Sequence, residues 1–297
     1  MIGGEFIINT LALGSLYALL ALGLVFVYGI LGLVNFAYGE YLMVAGYAMF
    51  VFGAYTSIPW WLTVMLAVAI AALVGYLTEL VAFRPVRNKS LNALLVTSFA
   101  VSVLLQNAAL LFVSPRSRAV KLSPAFNQSV NLMGVTTPLR NVLTIVTAAI
   151  LLTGLTLLMK YTVLGIAMRA AADKFTTTRL MGVPANLVIS VAFILSGGLA
   201  GVVAVFWVGR SSSVDPLIGF APLLIAFIAT VIGGMRSLQG AVLGGFVYAF
   251  LFNALSIMLP ASLINYRDAF MFVIVILFLL IRPEGLIRGG YTEERVG

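Results

Sequence analysis

The chain contains no cysteine and no histidine among its 297 residues. The lack of cysteine excludes disulfides and thiolate chemistry, and the lack of histidine excludes imidazole metal sites and catalytic pairs that need an imidazole. Charged residues are also scarce, at 9% of the chain, compared with about a quarter in soluble domains. These absences exclude several common enzyme classes and point away from a soluble protein.

Apolar residues make up 62% of the chain, and the mean hydropathy is +1.15. A soluble core could not bury this much apolar surface, so most of it must face lipid or other helices. The first 29 residues lack the basic leader and small-residue cleavage site of a signal peptide. The sequence therefore predicts an all-α integral membrane protein, a polytopic bundle whose first span lies at the N-terminus.

Apolar runs of about 17–25 residues predict the membrane crossings. They are Phe6–Tyr28, Tyr41–Ile58, Trp61–Phe83, Leu91–Val113, Asn141–Met159, Asn186–Val208, Ile218–Ile232, Ala241–Leu259 and Ala269–Ile281. The seventh is short and is followed at once by Gly233 and Gly234, which is typical of a broken or re-entrant helix. We expect eight or nine transmembrane helices in a single membrane domain, residues 1–297.

The segment Lys160–Val183 gathers charge between two long apolar spans. Most of the 17 lysine and arginine residues fall in loops on the same side as this segment, which predicts that this side is cytoplasmic. The net charge of +8 therefore reflects cytoplasmic loops rather than nucleic-acid binding. The alanines of the segment favour a helix, and Pro184 stops that helix before the next span. We expect a short helix at residues 160–184 that contacts a partner in water.

Two glycine-rich interruptions carry different expectations. Gly29–Glu40 brings polar side chains to the end of the first span, and it is either an interfacial turn or part of a substrate pathway. The pairs Gly240 with Gly244 and Gly197 with Gly201 have the small-x-x-x-small spacing that lets two helices pack closely.

Polar residues inside the spans are few. Gln106 and Asn107 lie midway along the fourth span, and they either line a pathway or form hydrogen bonds between helices. Asn253 has the same two interpretations. Glu79 and Arg84 are spaced for a local ion pair near one span end.

The sequence offers little for catalysis. It contains no Gly-x-x-x-x-Gly-Lys-Ser/Thr pattern for nucleotide phosphates, and its nine acidic residues mostly fall at span ends or in the tail. The remaining class is transport, with two possible energy sources. An ion-coupled transporter would need a buried carboxylate, for which only Glu40 is available. A subunit driven by a separate ATPase would need a cytoplasmic contact helix, which residues 160–184 supply.

Four blocks make the chain similar to a known family. They are GLVNFAYGE at Gly32–Glu40, AFRPVRNKSLNALLVTSFAVSVLLQN at Ala82–Asn107, GIAMRAAADKFTTTRLMGV at Gly165–Val183 and GFAPLLIAFIATVIGGMRSLQGAVLGG at Gly219–Gly245. Together they resemble the LivH-type permease subunit of branched-chain amino-acid ABC importers. The chain departs from the family pattern at Tyr38, where histidine is common, and at Arg236, where a small or apolar residue is common.

The resemblance implies a multi-pass permease of a bacterial or archaeal inner membrane that imports branched-chain or related hydrophobic amino acids. It implies a second similar permease subunit, two cytoplasmic ABC ATPase subunits that hold ATP and magnesium, and an extracytoplasmic substrate-binding protein. No cofactor is expected in this chain itself. Similar permeases carry urea, short amides or other amino acids, and the departure at Tyr38 leaves these alternatives open.

The residue pattern and the resemblance together lead to expected roles for particular residues. The coupling segment Gly165–Gly182 is expected to dock on the ATPase, with Met168 and an alanine face as the packed contact. The full coupling set is Gly165, Met168, Arg169, Ala170, Ala171, Ala172, Asp173, Lys174, Arg179 and Gly182. The substrate pathway is expected to include Asn35, Tyr38, Glu40, Gln106 and Asn107.

Overall fold

The computed structural model describes residues 2–87, 89–120, 122, 126, 128–132, 135–173, 178 and 181–287. Ten helices account for most of these residues. They are α1 Ile2–Leu31, α2 Tyr38–Tyr55, α3 Trp60–Leu77, α4 Leu91–Phe112, α5 Leu139–Tyr161, α6 Val163–Asp173, α7 Ala185–Ser211, α8 Phe220–Gly233, α9 Leu238–Met258 and α10 Arg267–Ile281. A π-helical turn, Thr78–Phe83, extends α3 to a last short helical stretch, Arg84–Val86.

Local sequence explains where several helices begin. Pro59, Pro138 and Pro184 stand directly before α3, α5 and α7. At a helix start, the fixed φ of proline is compatible with the helix, and its missing N–H breaks no helical hydrogen bond. Ser90 and Ser237 cap α4 and α9, and their side-chain oxygens accept the backbone N–H of Ala93 and Gly240 at 3.2 and 3.0 Å.

Four short strands lie in the connections. β1 (Arg118–Ala119) pairs antiparallel with β4 (Ser213–Val214), and β2 (Ser129–Leu132) pairs with β3 (Val135–Pro138). The side chain of Val135 lies against Gly4 at the start of α1. We call this end of the bundle the hairpin end. The opposite end, where Ala172 of α6 lies beside Gly29 of α1, is the α6 end.

Within the described part of the chain, seven helical segments are long and apolar enough to cross a membrane: Gly4–Leu31, Trp60–Val86, Leu91–Phe112, Leu139–Tyr161, Ala185–Ser211, Leu238–Met258 and Ile264–Ile281. The remaining two predicted spans correspond to α2 and α8. The predicted polytopic all-α fold is confirmed, and the expected count of eight or nine is roughly met.

α2 and α8 differ from the other spans for physical reasons. α2 has 18 residues, and ten of them are buried inside the protein, so it needs less apolar surface than a helix that faces lipid. α8 has 14 residues and is therefore about 21 Å long, which is shorter than the hydrocarbon core of about 30 Å. α2 begins inside the bundle at buried Tyr38, whereas α8 begins with exposed Phe220 directly after buried Gly219.

Glycines allow the closest contacts between helices. Gly197 and Gly201 of α7 face the backbone of α3 at Ala71 and Val68. Gly240 and Gly244 of α9 face the backbone of α8. A side chain at any of these glycines would push the two helices apart, so the glycines set the distance between α7 and α3 and between α9 and α8.

Candidate functional site

The chain folds back into the bundle between α1 and α2. Gly32 turns the backbone with a φ of +70°, which glycine adopts without steric cost. Buried Asn35 then organises the segment: its Oδ1 accepts the Ala37 N–H at 3.1 Å, and its Nδ2 donates to the Tyr41 hydroxyl at 3.1 Å. The result is a helix, α2, that begins among other helices.

The start of α2 meets the start of α8. A Cβ atom on Gly39 or on Gly219 would overlap the backbone of the other residue, so the two helix N-termini come together at one point. The free N–H groups of a helix N-terminus carry a partial positive charge. Two such ends meeting inside a membrane protein form an environment that favours an anionic group.

Glu40 lies in the first turn of α2 with only 2% of its surface exposed. Its Oε1 accepts hydrogen bonds from the Ser102 hydroxyl at 2.9 Å and from Gln106 Nε2 at 2.7 Å. Its Oε2 is buried and has no hydrogen-bond partner among the described residues. Ser102 and Gln106 belong to the middle of the 22-residue helix α4, so this carboxyl group sits far from both ends of the bundle.

Tyr38 is the first residue of α2, two positions before Glu40. It is 1% exposed, and its hydroxyl lies against Gly23 of α1. Its ring meets that of Tyr41 edge to face, with centroids 6.3 Å apart. The Tyr38 hydroxyl is also without a hydrogen-bond partner in the described part of the chain. We refer to Asn35, Tyr38, Glu40, Tyr41, Ser102 and Gln106 as the central polar cluster.

The predicted pathway residues separate into two groups. Gln106 bonds Glu40 directly, and Asn35 and Tyr38 both contact Tyr41, the neighbour of Glu40. Asn107 lies elsewhere: it is exposed and donates to the Val103 carbonyl of its own helix at 2.8 Å. Adjacent helical residues point about 100° apart, which explains why only one of the two amides reaches the cluster.

Ser102 and Tyr41 were not among the predicted site residues. Ser102 lies four residues before Gln106, on the same face of α4, and that spacing was the available signal. Tyr41 directly follows the GLVNFAYGE block, but a tyrosine close to a span end looks like an ordinary interfacial anchor.

Glu79 lies near one end of the span that α3 begins, as predicted. Its side chain is fully buried. Arg84 Nη2 lies 2.9 Å from Glu79 Oε2, and the Ser190 hydroxyl donates to the same oxygen at 2.8 Å. The expected ion pair with Arg84 is therefore present, and it also fastens α3 to α7.

Helix α6, which contains most of the residues predicted to contact an ATPase, packs one face on the bundle. Gly165, Met168 and Ala171 are buried, Ala172 lies beside Gly29, and Ala170 is partly exposed. This arrangement corrects the expected contact face, because Met168 and Ala171 are already covered by the chain itself.

The opposite face of α6 is open. Val163 and Ile166 are 85% and 53% exposed, and Arg169 is exposed as well. Gly182 is exposed and has a φ of +85°. Lys174, Arg179 and the side chain of Asp173 lie outside the described residues. Val163, Ile166 and Arg169 therefore form an exposed face of α6.

The described residues contain no group of three or more acidic side chains that could hold a metal ion. What they contain is a multi-pass helical bundle in which two helices, α2 and α8, start next to each other beside a polar cluster deep between the ends. Helix ends that lie at mid-depth are typical of membrane transport proteins.

The chain belongs to the family described as branched-chain amino acid transport system / permease component, which it matches over residues 6–281. It is 34% identical to the high-affinity branched-chain amino acid transport system permease protein BraD of Pseudomonas aeruginosa, over 97% of this chain and 96% of the relative. It is also 34% identical to the permease protein LivH of Escherichia coli K12, over 96% of both chains.

A probable LivH of Methanocaldococcus jannaschii is 28% identical over 92% of this chain. The predicted LivH-type permease and its multi-pass membrane location are confirmed.

Proposed function

We propose that this chain forms one half of the membrane pathway of an ATP-driven importer for branched-chain or related hydrophobic amino acids. A second similar permease subunit completes the pathway, two cytoplasmic ATPase subunits bind ATP with magnesium, and an extracytoplasmic binding protein delivers the substrate. Family membership and the printed functions of BraD and LivH support the importer and its cargo. The open apolar face of α6 supports a contact with an ATPase subunit.

The central polar cluster is the observation that carries the residue-level proposal. An amino acid crosses the membrane as a zwitterion, so its pathway must offer an acceptor to the ammonium group and donors to the carboxylate. The unpartnered Oε2 of Glu40 supplies the acceptor. The N-termini of α2 and α8, which meet at Gly39 and Gly219, supply the partial positive charge.

The cluster suits transient contact rather than tight binding. Ser102 and Gln106 already occupy Oε1 of Glu40, which leaves one oxygen for the substrate. The side chains of the α4 interior supply no lysine or arginine that would retain a carboxylate. High-affinity selection then rests with the binding protein, and the permease needs only a brief interaction during passage.

The experiment measures uptake by the assembled transporter in proteoliposomes with ATP and the binding protein. Glu40→Gln keeps the side-chain shape but removes the charge, and the matched control is Glu5→Gln on the exposed start of α1. We expect Glu40→Gln to lower the maximal rate of leucine uptake about tenfold, which corresponds to the loss of one charged hydrogen bond. Half-saturation stays unchanged, because the binding protein sets it.

The same assay separates the alternative cargoes. Urea and short amides carry no ammonium group, so we expect their rate of uptake not to depend on the charge at residue 40. Uptake of an amide but not of leucine by the wild-type transporter would contradict the proposed cargo. Full-rate leucine uptake by Glu40→Gln would contradict the proposed role of the carboxylate, but it would not contradict the proposed cargo.

The buried carboxylate of Glu40 is also what a stand-alone ion-coupled transporter would need. Vesicles that contain only this chain and an imposed proton or sodium gradient distinguish the two mechanisms. We expect no uptake without the ATPase subunits and ATP, and gradient-driven uptake by the chain alone would favour the ion-coupled mechanism.

A further inference from the structure

A second feature lies outside the central polar cluster, on the flank of the bundle. Helices α5 and α9 both pack on α1 but make almost no contact with each other. Between them lies a cleft of about 890 Å³, and Leu22 and Phe26 of α1 contribute to its floor. The cleft therefore exists because two helices diverge from a shared partner.

The walls of the cleft are apolar over most of their length. Residues such as Leu152, Leu155, Val242 and Leu243 line it. An apolar cavity does not hold water well, and between membrane helices the available apolar filler is a lipid acyl chain. The chemistry of the walls alone thus favours a hydrocarbon occupant.

Two cations stand at one end of the cleft. Lys160 is the penultimate residue of α5, and Arg169 projects from α6; both line the cleft and both are exposed. Neither forms an ion pair with a described residue, and Lys160 Nζ lies 5.3 Å from the centre of the Tyr161 ring. Among the residues that the structure describes, no aspartate or glutamate lines the cleft. Basic groups at the end of membrane helices stand at the depth of lipid phosphates.

We infer that this cleft binds an anionic phospholipid, with an acyl chain between α5 and α9 and the phosphate between Lys160 and Arg169. The apolar walls and the two exposed cations match the two halves of such a molecule. Because Arg169 belongs to the coupling helix α6 and Lys160 to α5, the headgroup would link α6 electrostatically to the transmembrane bundle.

The test uses the full-length chain in its assembled transporter, purified and reconstituted in nanodiscs. Native mass spectrometry counts the retained phosphatidylglycerol and phosphatidylcholine. We expect preferential retention of phosphatidylglycerol and about a thirtyfold loss of that preference in the Lys160→Gln, Arg169→Gln double variant, since each cation contributes about 1 kcal/mol near a membrane surface. Lys89→Gln is the matched control, because Lys89 is an exposed cation that does not line the cleft.

A second variant tests the acyl-chain site. Leu243→Trp fills the cleft without changing its charge, and we expect it to lower retention of phosphatidylglycerol as well. Unchanged retention in the double variant, or equal retention of the two lipids by the wild type, would overturn the inference.

A photo-reactive benzoyl-phenylalanine at Thr156, inside the cleft, identifies the occupant directly. An adduct with lipid supports the inference, whereas an adduct with another protein subunit overturns it.

Discussion

The backbones of Gly39 and Gly219 lie so close together that a Cβ atom on either would overlap the carbonyl group of the other. These residues stand at the starts of α2 and α8, and their contact fixes the point at which the two helices meet. A side chain here presses on backbone rather than on a movable side chain, so the structure must shift to accommodate it.

We therefore expect Gly219→Ala to destabilise the bundle by about 1–3 kcal/mol, the usual cost of overpacking. Gly39→Ala should cost a similar amount, and the double variant less than the sum, because both substitutions strain the same contact. Thermal unfolding of the purified protein measures the effect.

Gly154→Ala is the control, since a Cβ atom there meets no heavy atom within 4 Å. Equal unfolding temperatures for Gly219→Ala and Gly154→Ala would show that the helix starts are not held in this contact.

The two neighbouring amides of α4 form a matched pair for the pathway. Gln106 donates to Glu40, whereas Asn107 donates only to the backbone of its own helix. We expect Gln106→Leu to lower maximal uptake while half-saturation is nearly unchanged, and Asn35→Leu to act in the same direction. Asn107→Leu should transport at close to the wild-type rate.

Each variant must be assembled with its partners before uptake of labelled leucine is measured. If Gln106→Leu and Asn35→Leu both transport at the full rate, the two side chains are structural and the pathway lies elsewhere.

Most spans could be predicted because hydropathy alone decides them. The prediction Leu91–Val113 differs by one residue from the observed Leu91–Phe112. α2 was harder: the predicted run Tyr41–Ile58 begins three residues late, because the polar Glu40 looked like a span end. Ser102 and Gln106 bond one oxygen of this carboxyl group, and because they lie far along the chain, the contact leaves no local signal in the sequence.

The face of α6 that packs against the bundle could not be predicted from the sequence either. Met168 and Ile166 are both apolar and lie two residues apart, so either could have faced the bundle. The contact of Ala172 with Gly29 is tertiary and decides which face is buried. The hairpin of β2 and β3 was not predicted, because its strands are only four residues each.

The buried ion pair of Glu79 gives a prediction about stability. Glu79→Gln leaves Arg84 without its carboxylate while the contact to Ser190 can persist. Removal of one member of a buried pair costs about 3–5 kcal/mol, and partial exposure of Arg84 reduces this to about 2 kcal/mol because water screens the remaining charge. Asp268→Asn should cost under about 1 kcal/mol, since Asp268 is 73% exposed in its pair with Arg267. Denaturation of the two variants under the same conditions measures the difference, and a smaller loss for Glu79→Gln would contradict the account.

The last prediction concerns the open face of α6. Ala171 is buried, so a bulky charged residue there would disturb packing within the chain and would not test contact with a partner. A substitution at Ile166 does test that contact, because its side chain is exposed beside Val163 and Arg169. If this face docks on an ATPase subunit, Ile166→Glu should place an unpaired charge in an apolar contact and uncouple ATP hydrolysis from uptake.

Its unfolding temperature should stay near that of the wild type, because exposed positions usually change stability by less than about 0.5 kcal/mol. Met168→Ala is the complementary variant: it should lower stability by about 2–5 kcal/mol through a cavity under α6, while the folded fraction remains coupled. The measurement is the ratio of substrate imported to ATP hydrolysed in proteoliposomes, together with thermal unfolding of each assembled transporter. A normal ratio in Ile166→Glu, and again in Val163→Glu, would mean that the ATPase subunits contact this chain at another surface.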